Sequence, residues 1–298
     1  MSAVVQRFKK MGLSGRGECD FGLHRLVAQS LCDRLQGIRK PSSPVILDLA
    51  SGPGVVFPVF YPVFSDSHWV LVDLVERFLQ EARSLYRPSF VKSCLKRYRL
   101  DCLSADVQKL PLASSSVDVI IANMILPCLV DRQHIFREWR RVLKPDGIFL
   151  FSLLGPDTFR EIRWVFSFAD SYAHTELFPD MHDVADELVR AGFQDVVVDV
   201  DVKQTIYSDF LSLCRDLKKI GVFHVTTNGK RHGLLSRTAW KIAADKYETI
   251  RHDKGLPLTW ELIFGHAWGG GKETPPDKLS EDYSIVKFFS NKKDAGST

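Results

Sequence analysis

The sequence predicts an α/β protein with a mostly parallel, doubly wound sheet of seven strands. Short runs of β-branched residues and leucine recur without polar alternation, which is typical of strands buried on both faces. Segments with helical spacing separate most of these runs, and this order favours parallel strands joined by crossover helices. The clearest run, Val45–Leu49, leads into Ala50–Gly54, where two glycines allow a tight turn at the carboxyl end of a strand.

The composition indicates an ordinary globular protein. Of 298 residues, 45% are hydrophobic and 26% charged, and a net charge of +4 is too small to indicate nucleic-acid binding. The six cysteines include no C-x-x-C pair and the histidines show no metal-ligand spacing, so we expect reduced thiols and no metal site. No apolar run has the length of a membrane span. We expect a cytoplasmic enzyme with no membrane partner, while the basic, amphipathic first ten residues leave organelle targeting open.

Helical patterns surround the first five strands. An N-terminal helical segment covers 1–44, and its buried face is predicted to carry Leu23, Leu26, Val27, Leu31 and Leu35. After the glycine turn, Pro58 and Pro62 predict a short or irregular helix, because proline in a helix interior costs about 3 kcal/mol. The other predicted elements are strands at 45–49, 69–73, 98–103, 117–122 and 148–154, with helices at 75–86 and 131–143.

The second half of the chain predicts an insertion before the last strand. A helix at 183–192 and a strand at 195–202 complete a core that spans 45–206. An insertion at 207–256 carries two helical patterns, and 257–268 predicts the last strand. Glycine, proline and charge dominate 269–298, so we expect a flexible tail there.

Three acids and one asparagine fall at successive strand ends. They are Asp48, Asp73, Asp106 and Asn123. Ligands of open α/β sheets bind outside the carboxyl ends of the strands. One acid in such a place is more simply explained as a helix cap, but three favour a binding site.

The segments around these residues resemble the class I S-adenosylmethionine-dependent methyltransferases. The similar segments are 45–54, 106–112, 117–123 and 138–147. The resemblance implies a Rossmann-like fold and S-adenosyl-L-methionine as the cofactor. It also implies a cofactor-binding set made of Asp48, Ser51, Gly52, Gly54, Asp73, Leu74, Asp106, Val107 and Asn123.

Each implied role has a chemical reason. The backbone around Ser51 suits the methionine end of the cofactor, and Asp48 would stabilise its charged groups. Asp73 can accept hydrogen bonds from two ribose hydroxyls. Asp106 can accept one from the adenine amine, and the ring would lie between two apolar side chains, Leu74 and Val107.

Later segments are more specific. Those at 151–163, 178–193, 215–221 and 255–268 resemble the malonyl-acyl-carrier protein O-methyltransferases of biotin synthesis. This resemblance implies methyl transfer to the free carboxylate of a malonyl thioester, held on acyl-carrier protein or coenzyme A, with 207–256 as a helical lid over the substrate channel.

The implied reaction needs a cationic side chain to bind the acceptor carboxylate, and it needs no general base. A carboxylate is already ionised at neutral pH, so an arginine that holds one of its oxygens is the expected device. Arg215 is our preferred clamp, and basic residues around the lid would steer an acidic carrier protein. The candidate substrate and carrier residues are Arg160, Arg163, Arg215, Lys218, Lys219 and Arg231.

Two departures from the family pattern affect the cofactor side. Glu18–Asp20 replaces the usual aromatic Ser-Tyr-Asp segment, with Phe21 as the nearest aromatic residue, and Ala50, Ser51 and Pro53 replace the common Gly, Cys and Thr. Two alternatives therefore stay open. One is a methyltransferase-fold protein of the complex I assembly factor type, linked to arginine hydroxylation. The other is a non-catalytic binding protein.

Overall fold

The computed structural model describes residues 21–86, 98–125, 131–220, 235–270 and 287–290. Within these ranges the strands are β1 (Val45–Leu49), β2 (Ser67–Asp73), β3 (Tyr98–Ser104), β4 (Val117–Asn123), β5 (Leu143–Leu154), β6 (Gln194–Tyr207), β7 (Leu256–Trp268) and β8 (Lys287–Ser290). The helices are α1 (Gly22–Asp33), α2 (Phe57–Phe60), α3 (Glu76–Tyr86), α4 (Arg132–Val142), α5 (Arg160–Phe166), α6 (Met181–Arg190), α7 (Phe210–Ile220) and α8 (Arg237–Glu248). None of these helices has the length and apolar character needed to cross a membrane.

One sheet organises the described residues. Its strand order is β3-β2-β1-β4-β5-β7-β6-β8. Strands β1 to β5 run parallel to their neighbours among themselves, whereas β7 runs antiparallel to both β5 and β6. The strand order reverses between β1 and β4. In open α/β sheets this switch point creates a crevice outside the carboxyl ends of the strands.

Apolar layers cover both faces of the sheet. On β1, Ile46 belongs to one cluster of buried residues, and Leu47 and Leu49 belong to the other. The first cluster includes side chains of α1, α2, α3, α5, α7 and α8, and the second includes those of α4 and α6. Burial on both faces explains why the strands lack polar alternation.

The predicted α/β fold is confirmed, and each of the seven predicted strands overlaps an observed one. The helix after the glycine turn is short, as its prolines predicted: α2 contains only Phe57–Phe60. The prediction for Leu26 was wrong, because its side chain is 69% exposed. The buried stripe of α1 instead runs through Val27, Ala28 and Leu31.

An eighth strand lies within the segment predicted as a flexible tail. Strand β8 pairs in parallel with β6, and its partners there run from Val197 to Val200. The insertion between β6 and β7 contains α7 and α8, as the two helical patterns predicted. Its middle section, 221–234, lies outside the described residues, as do 1–20 and 87–97.

Candidate functional site

A pocket lies at the switch point, where β1, β2 and β4 end. Its walls combine three acids with many apolar side chains. The lining residues are Phe21, His24, Asp48, Ala50, Ser51, Gly52, Val55, Val56, Asp73, Leu74, Val75, Phe78, Asp106, Val107, Gln108, Asn123, Met124 and Ile125. Of the nine predicted cofactor residues, eight line this pocket, and Gly54 does not.

The glycine turn forms the floor of the pocket. Its backbone is fixed by a hydrogen bond from Ser51 N to Val72 O (3.0 Å) and another from Gly54 N to Ser51 O (2.9 Å). Gly54 has φ +79°, and an added Cβ would lie 2.9 Å from the ring of Tyr86. The turn therefore needs glycine here because a side chain would collide and the left-handed backbone disfavours one. Ala50 also adopts a positive φ, +51°, without being glycine.

Asp73 ties the turn to the end of β2. Its Oδ2 accepts a hydrogen bond from Gly52 N (2.9 Å), and its Oδ1 accepts one from Val75 N (2.8 Å). Burial raises the pKa of this carboxyl, and the backbone N–H donors oppose the rise by stabilising the ionised form. Each carboxylate oxygen can accept a further hydrogen bond. Asp73 can thus fix the glycine turn and bind a ligand hydroxyl at the same time.

Asp48 is the least compensated charge in the pocket. Its side chain belongs to a residue only 1% exposed, and neither carboxylate oxygen has a hydrogen-bond partner among the described residues. Burial raises the pKa of Asp48 well above its ordinary value, and the negative charge of Asp73 adds to that rise. A buried carboxylate is stable only when it is paired or hydrogen-bonded. The pocket therefore suits a ligand that brings a positive charge to Asp48.

Part of the pocket lining suits a flat, mostly apolar group. Leu74, Phe78 and Val107 line it, and Asp106 lies half-buried beside them. The Asp106 carboxylate accepts a hydrogen bond from Gln108 N (3.0 Å), so its orientation is fixed. A carboxylate beside apolar side chains is the chemistry expected of an adenine site, and the assignment of these residues to adenine stays a prediction.

Asn123 has a structural role that its sequence position did not reveal. Its Nδ2 donates to the carbonyl oxygen of His24 on α1 (2.9 Å), and its Oδ1 accepts from Ser152 Oγ (2.7 Å). Phe21, at the start of α1, lies against Gly52, 3.4 Å from where a Cβ would be. Helix α1 thus forms one wall of the pocket.

Sequence reasoning missed several wall residues. Phe21 was noted only as the aromatic residue nearest to a family segment, and His24 was not singled out. Phe78 could have been found, because it lies in the first turn of α3, the helix that directly follows the pocket residues at the end of β2. The other lining residues not predicted are Ala50, Val55, Val56, Val75, Gln108, Met124 and Ile125.

The predicted substrate cations lie elsewhere. Of the arginine and lysine residues that the structure describes, none lines the pocket. Arg163 donates to the carbonyl oxygens of Pro156 and Thr158, and so holds the turn that follows β5. Arg160 is exposed, with its Nη1 3.8 Å from a carboxylate oxygen of Asp157.

The remaining cations lie on the insertion. Arg215, Lys218 and Lys219 are exposed on α7, and Lys219 Nζ lies 3.9 Å from Asp216 Oδ1. Arg231 lies outside the described residues. The structure therefore brings most of the predicted cofactor residues together, whereas the candidate substrate cations within the described residues lie on two helices, α5 and α7.

Comparison with known proteins identifies the family. A family described as "Methyltransferase domain" matches residues 47–151. A malonyl-acyl-carrier protein O-methyltransferase from Laribacter hongkongensis is 35% identical over 89% of both chains. One from Gallionella capsiferriformans is 36% identical over 89% of this chain and 88% of the relative. This chain belongs to the malonyl-acyl-carrier protein O-methyltransferase family.

Solved structures support the fold of this methyltransferase. A Bacillus halodurans crystal structure described as a methyltransferase superposes with a TM-score of 0.56 at 16% identity, covering 81% of this chain and 99% of that one. The YcgJ protein of Bacillus subtilis gives a TM-score of 0.51 at 15% identity, covering 82% and 99%. At such low identity these similarities show the fold alone.

The cofactor of this methyltransferase is S-adenosylmethionine, and the pocket fits it. Asp48 offers an unpaired buried negative charge to a cofactor that carries an ammonium and a sulfonium. Asp73 keeps acceptor capacity for ribose hydroxyls, and the glycine turn leaves room for close backbone approach. Asp106 and Val107 would contact the adenine end. The departures in the glycine turn therefore leave the site suited to this cofactor.

Proposed function

We propose that this chain methylates the free carboxylate of a malonyl thioester carried on acyl-carrier protein, an early step of biotin synthesis. The observation that carries the proposal is the extent of the similarity: relatives with this name are 35% and 36% identical over 89% of the chain. The pocket supports it, because its acids and apolar walls suit the methyl donor. Neither the hydroxylase-like alternative nor the non-catalytic alternative is favoured by these relatives.

The protein's task in this reaction is mainly binding and orientation. When bound, the cofactor supplies a methyl group activated by the positive charge on sulfur. The acceptor carboxylate is ionised at neutral pH, so no side chain has to remove a proton from it. Asp48, Asp73 and the glycine turn would fix the donor. A second group must hold the acceptor in line and exclude water, which lowers the barrier by pre-organising the reactants.

We assign the acceptor-holding role to Arg215. Among the predicted arginines within the described residues, Arg163 is engaged by two carbonyl oxygens and Arg160 lies near Asp157 and Glu161. Arg215 lies exposed on α7, in the insertion next to β6. A guanidinium can hold one carboxylate oxygen while the other reacts, and such a charge-assisted hydrogen bond is strong and directional.

The first experiment tests the reaction itself. The purified protein is incubated with S-adenosylmethionine and malonyl-acyl-carrier protein, and the carrier is weighed by mass spectrometry. The proposal predicts a gain of one methyl group, which should leave the carrier together with the acyl group when base cleaves the more labile thioester. Cofactor binding without methyl gain on the carrier or on malonyl-coenzyme A would contradict the proposed substrate. Absence of cofactor binding would favour a non-catalytic protein.

The second experiment tests the arginine. Arg215→Ala should lower kcat/KM by about 10- to 100-fold, because hydrogen bonds to charged groups contribute roughly 1.5–3 kcal/mol. Arg160→Ala is the matched control, since that arginine is also exposed but pairs with neighbouring acids. Equal effects of the two substitutions would contradict the assignment.

Carrier preference depends on the lysines of α7. We expect Lys218→Glu and Lys219→Glu to raise the KM for malonyl-acyl-carrier protein, because both exposed cations would attract an acidic carrier. The KM for malonyl-coenzyme A should change less, since it lacks the protein surface. An unchanged KM for the carrier protein would refute the proposed steering.

A further inference from the structure

Helix α1 is fastened to the sheet at both ends by polar contacts. At its C-terminal end Arg34 makes a forked ion pair with Asp199 of β6 (2.7 Å) and lies 3.9 Å above the ring of Phe264. Near its N-terminal end the carbonyl oxygen of His24 accepts a hydrogen bond from Asn123, at the end of β4. The second contact lies at the pocket and the first does not.

The contact at the pocket belongs to a buried chain of hydrogen bonds. Ser152 Oγ on β5 donates to Asn123 Oδ1 at 2.7 Å, which orients the amide so that its nitrogen points to α1. The same serine oxygen accepts from Met124 N at 3.1 Å. Ser152 is fully buried and does not line the pocket. It therefore acts on the pocket only through Asn123 and Met124.

This chain of hydrogen bonds determines where the wall of the pocket lies. Phe21 and His24 line the pocket from α1, and Phe21 also packs edge-on against Phe78 of α3, with ring centroids 5.7 Å apart. Phe21 has no side-chain hydrogen bond to cap the helix. The hydrogen bond from Asn123 to His24 O directly joins the N-terminal turn of α1 to the end of β4.

We propose that Asn123 and Ser152 form a positioning pair that holds the N-terminal turn of α1 against the cofactor, so that the affinity for S-adenosylmethionine depends on the orientation of the Asn123 amide. Asn123 is then a positioning residue for the pocket wall, in addition to being part of its lining. Ordering the wall before binding lowers the entropy lost when the ligand binds. Loosening this wall should weaken cofactor binding even though the three acids that line the pocket stay unchanged.

The proposal is tested with Ser152→Ala, because that residue lies outside the lining. We expect the Kd for S-adenosylhomocysteine, measured by calorimetry, to rise about three- to tenfold, and the Kd of Asn123→Ala to rise about tenfold or more. The double variant should bind S-adenosylhomocysteine with the same Kd as Asn123→Ala alone, because both substitutions break the same hydrogen-bond network. Gln29→Ala is the control, since Gln29 lies on the exposed side of α1 and donates a hydrogen bond to Asp33 there.

Hydrogen exchange gives a readout independent of activity. In both variants the amides of the first turns of α1, including Arg25 N, which bonds to Phe21 O, should exchange several-fold faster than in the wild type. Exchange in the core strands should stay unchanged, which separates this effect from a general loss of stability. Normal cofactor affinity in Ser152→Ala would overturn the proposal. Weaker binding by Asn123→Ala with unchanged exchange in α1 would overturn it in favour of a direct contact.

Discussion

The substitution Asp48→Asn should stabilise the cofactor-free protein while weakening cofactor binding. Asp48 is buried, and both of its carboxylate oxygens lack a hydrogen-bond partner among the described residues. Leaving such a group unsatisfied costs about 1–3 kcal/mol, and more if it is charged. The amide has nearly the same shape and is also unpaired, so the substitution relieves only the additional cost of the charge, which the negative charge of Asp73 increases. We take that additional cost as about 1–3 kcal/mol at pH 7, which corresponds to roughly 2–6 °C in Tm for a chain of this size.

The effect should depend on pH with a defined sign. The folded-state pKa of Asp48 is raised above its unfolded value, which is about 4. Below that unfolded value the carboxyl is protonated in both states and costs little. As pH rises further, the unfolded chain ionises first, so the wild type loses stability until the folded pKa is passed. The advantage of Asp48→Asn should accordingly grow from about pH 4 upward and then level off.

The assay is thermal or urea unfolding of both proteins across this pH range, with and without S-adenosylmethionine. Ligand that binds only the folded state raises stability according to its affinity, and this increment should be smaller for Asp48→Asn. Asp199→Asn is the matched control, because Asp199 is paired with Arg34 and its substitution should destabilise. A cofactor-free Asp48→Asn protein that is less stable than the wild type at pH 7 would refute the reasoning.

Three further predictions concern the backbone and one ion pair. Ala50→Gly should raise the free energy of unfolding by about 0.5–1 kcal/mol, seen as a higher urea midpoint with an unchanged m-value. The reason is that relief of the left-handed φ (+51°) exceeds the entropic cost of glycine. Gly54→Ala should weaken cofactor binding in calorimetry and lower the free energy of unfolding by about 2 kcal/mol or more. Gly37→Ala is the control: Gly37 also has a positive φ but lies in open space, so its substitution should lower stability through backbone strain and leave cofactor binding unchanged. A double-mutant cycle on Arg132 and Glu187, 2.7 Å apart between α4 and α6, should give a coupling of about 0.5–1 kcal/mol in urea unfolding. Zero coupling would contradict the last prediction.

The parts of the fold that depend on local pattern could be predicted from the sequence. Continuous apolar runs predict buried strands, and an acid that follows such a run lies at the carboxyl end of its strand, where ligands of these sheets bind. Asp48, Asp73 and Asp106 were found in this way, and all three line the pocket. The short α2 was predictable because two prolines prevent a longer helix.

Features that depend on distant contacts could not be predicted. The bond between Asn123 and His24 joins residues 99 positions apart, and no local pattern encodes it. The occupation of Arg163 by two carbonyl oxygens depends on the shape of the turn after β5. Leu26 was misjudged because the position of α1 on the sheet, which sets its buried stripe, is decided by tertiary packing.

The two ends of the α7–α8 insertion leave the sheet at adjacent points. Tyr207, at the end of β6, pairs directly with Leu256, at the start of β7, and the two strands continue as an antiparallel pair from there. The sheet thus closes the base of the insertion by itself. For a flexible segment, doubling the length between fixed ends adds only about 0.6 kcal/mol of closure cost. The length of the insertion is therefore weakly constrained, but α7 and α8 also bury side chains in the first apolar cluster. An exchange of the insertion between relatives should alter which acyl thioester is accepted without disturbing the fold where that packing is kept.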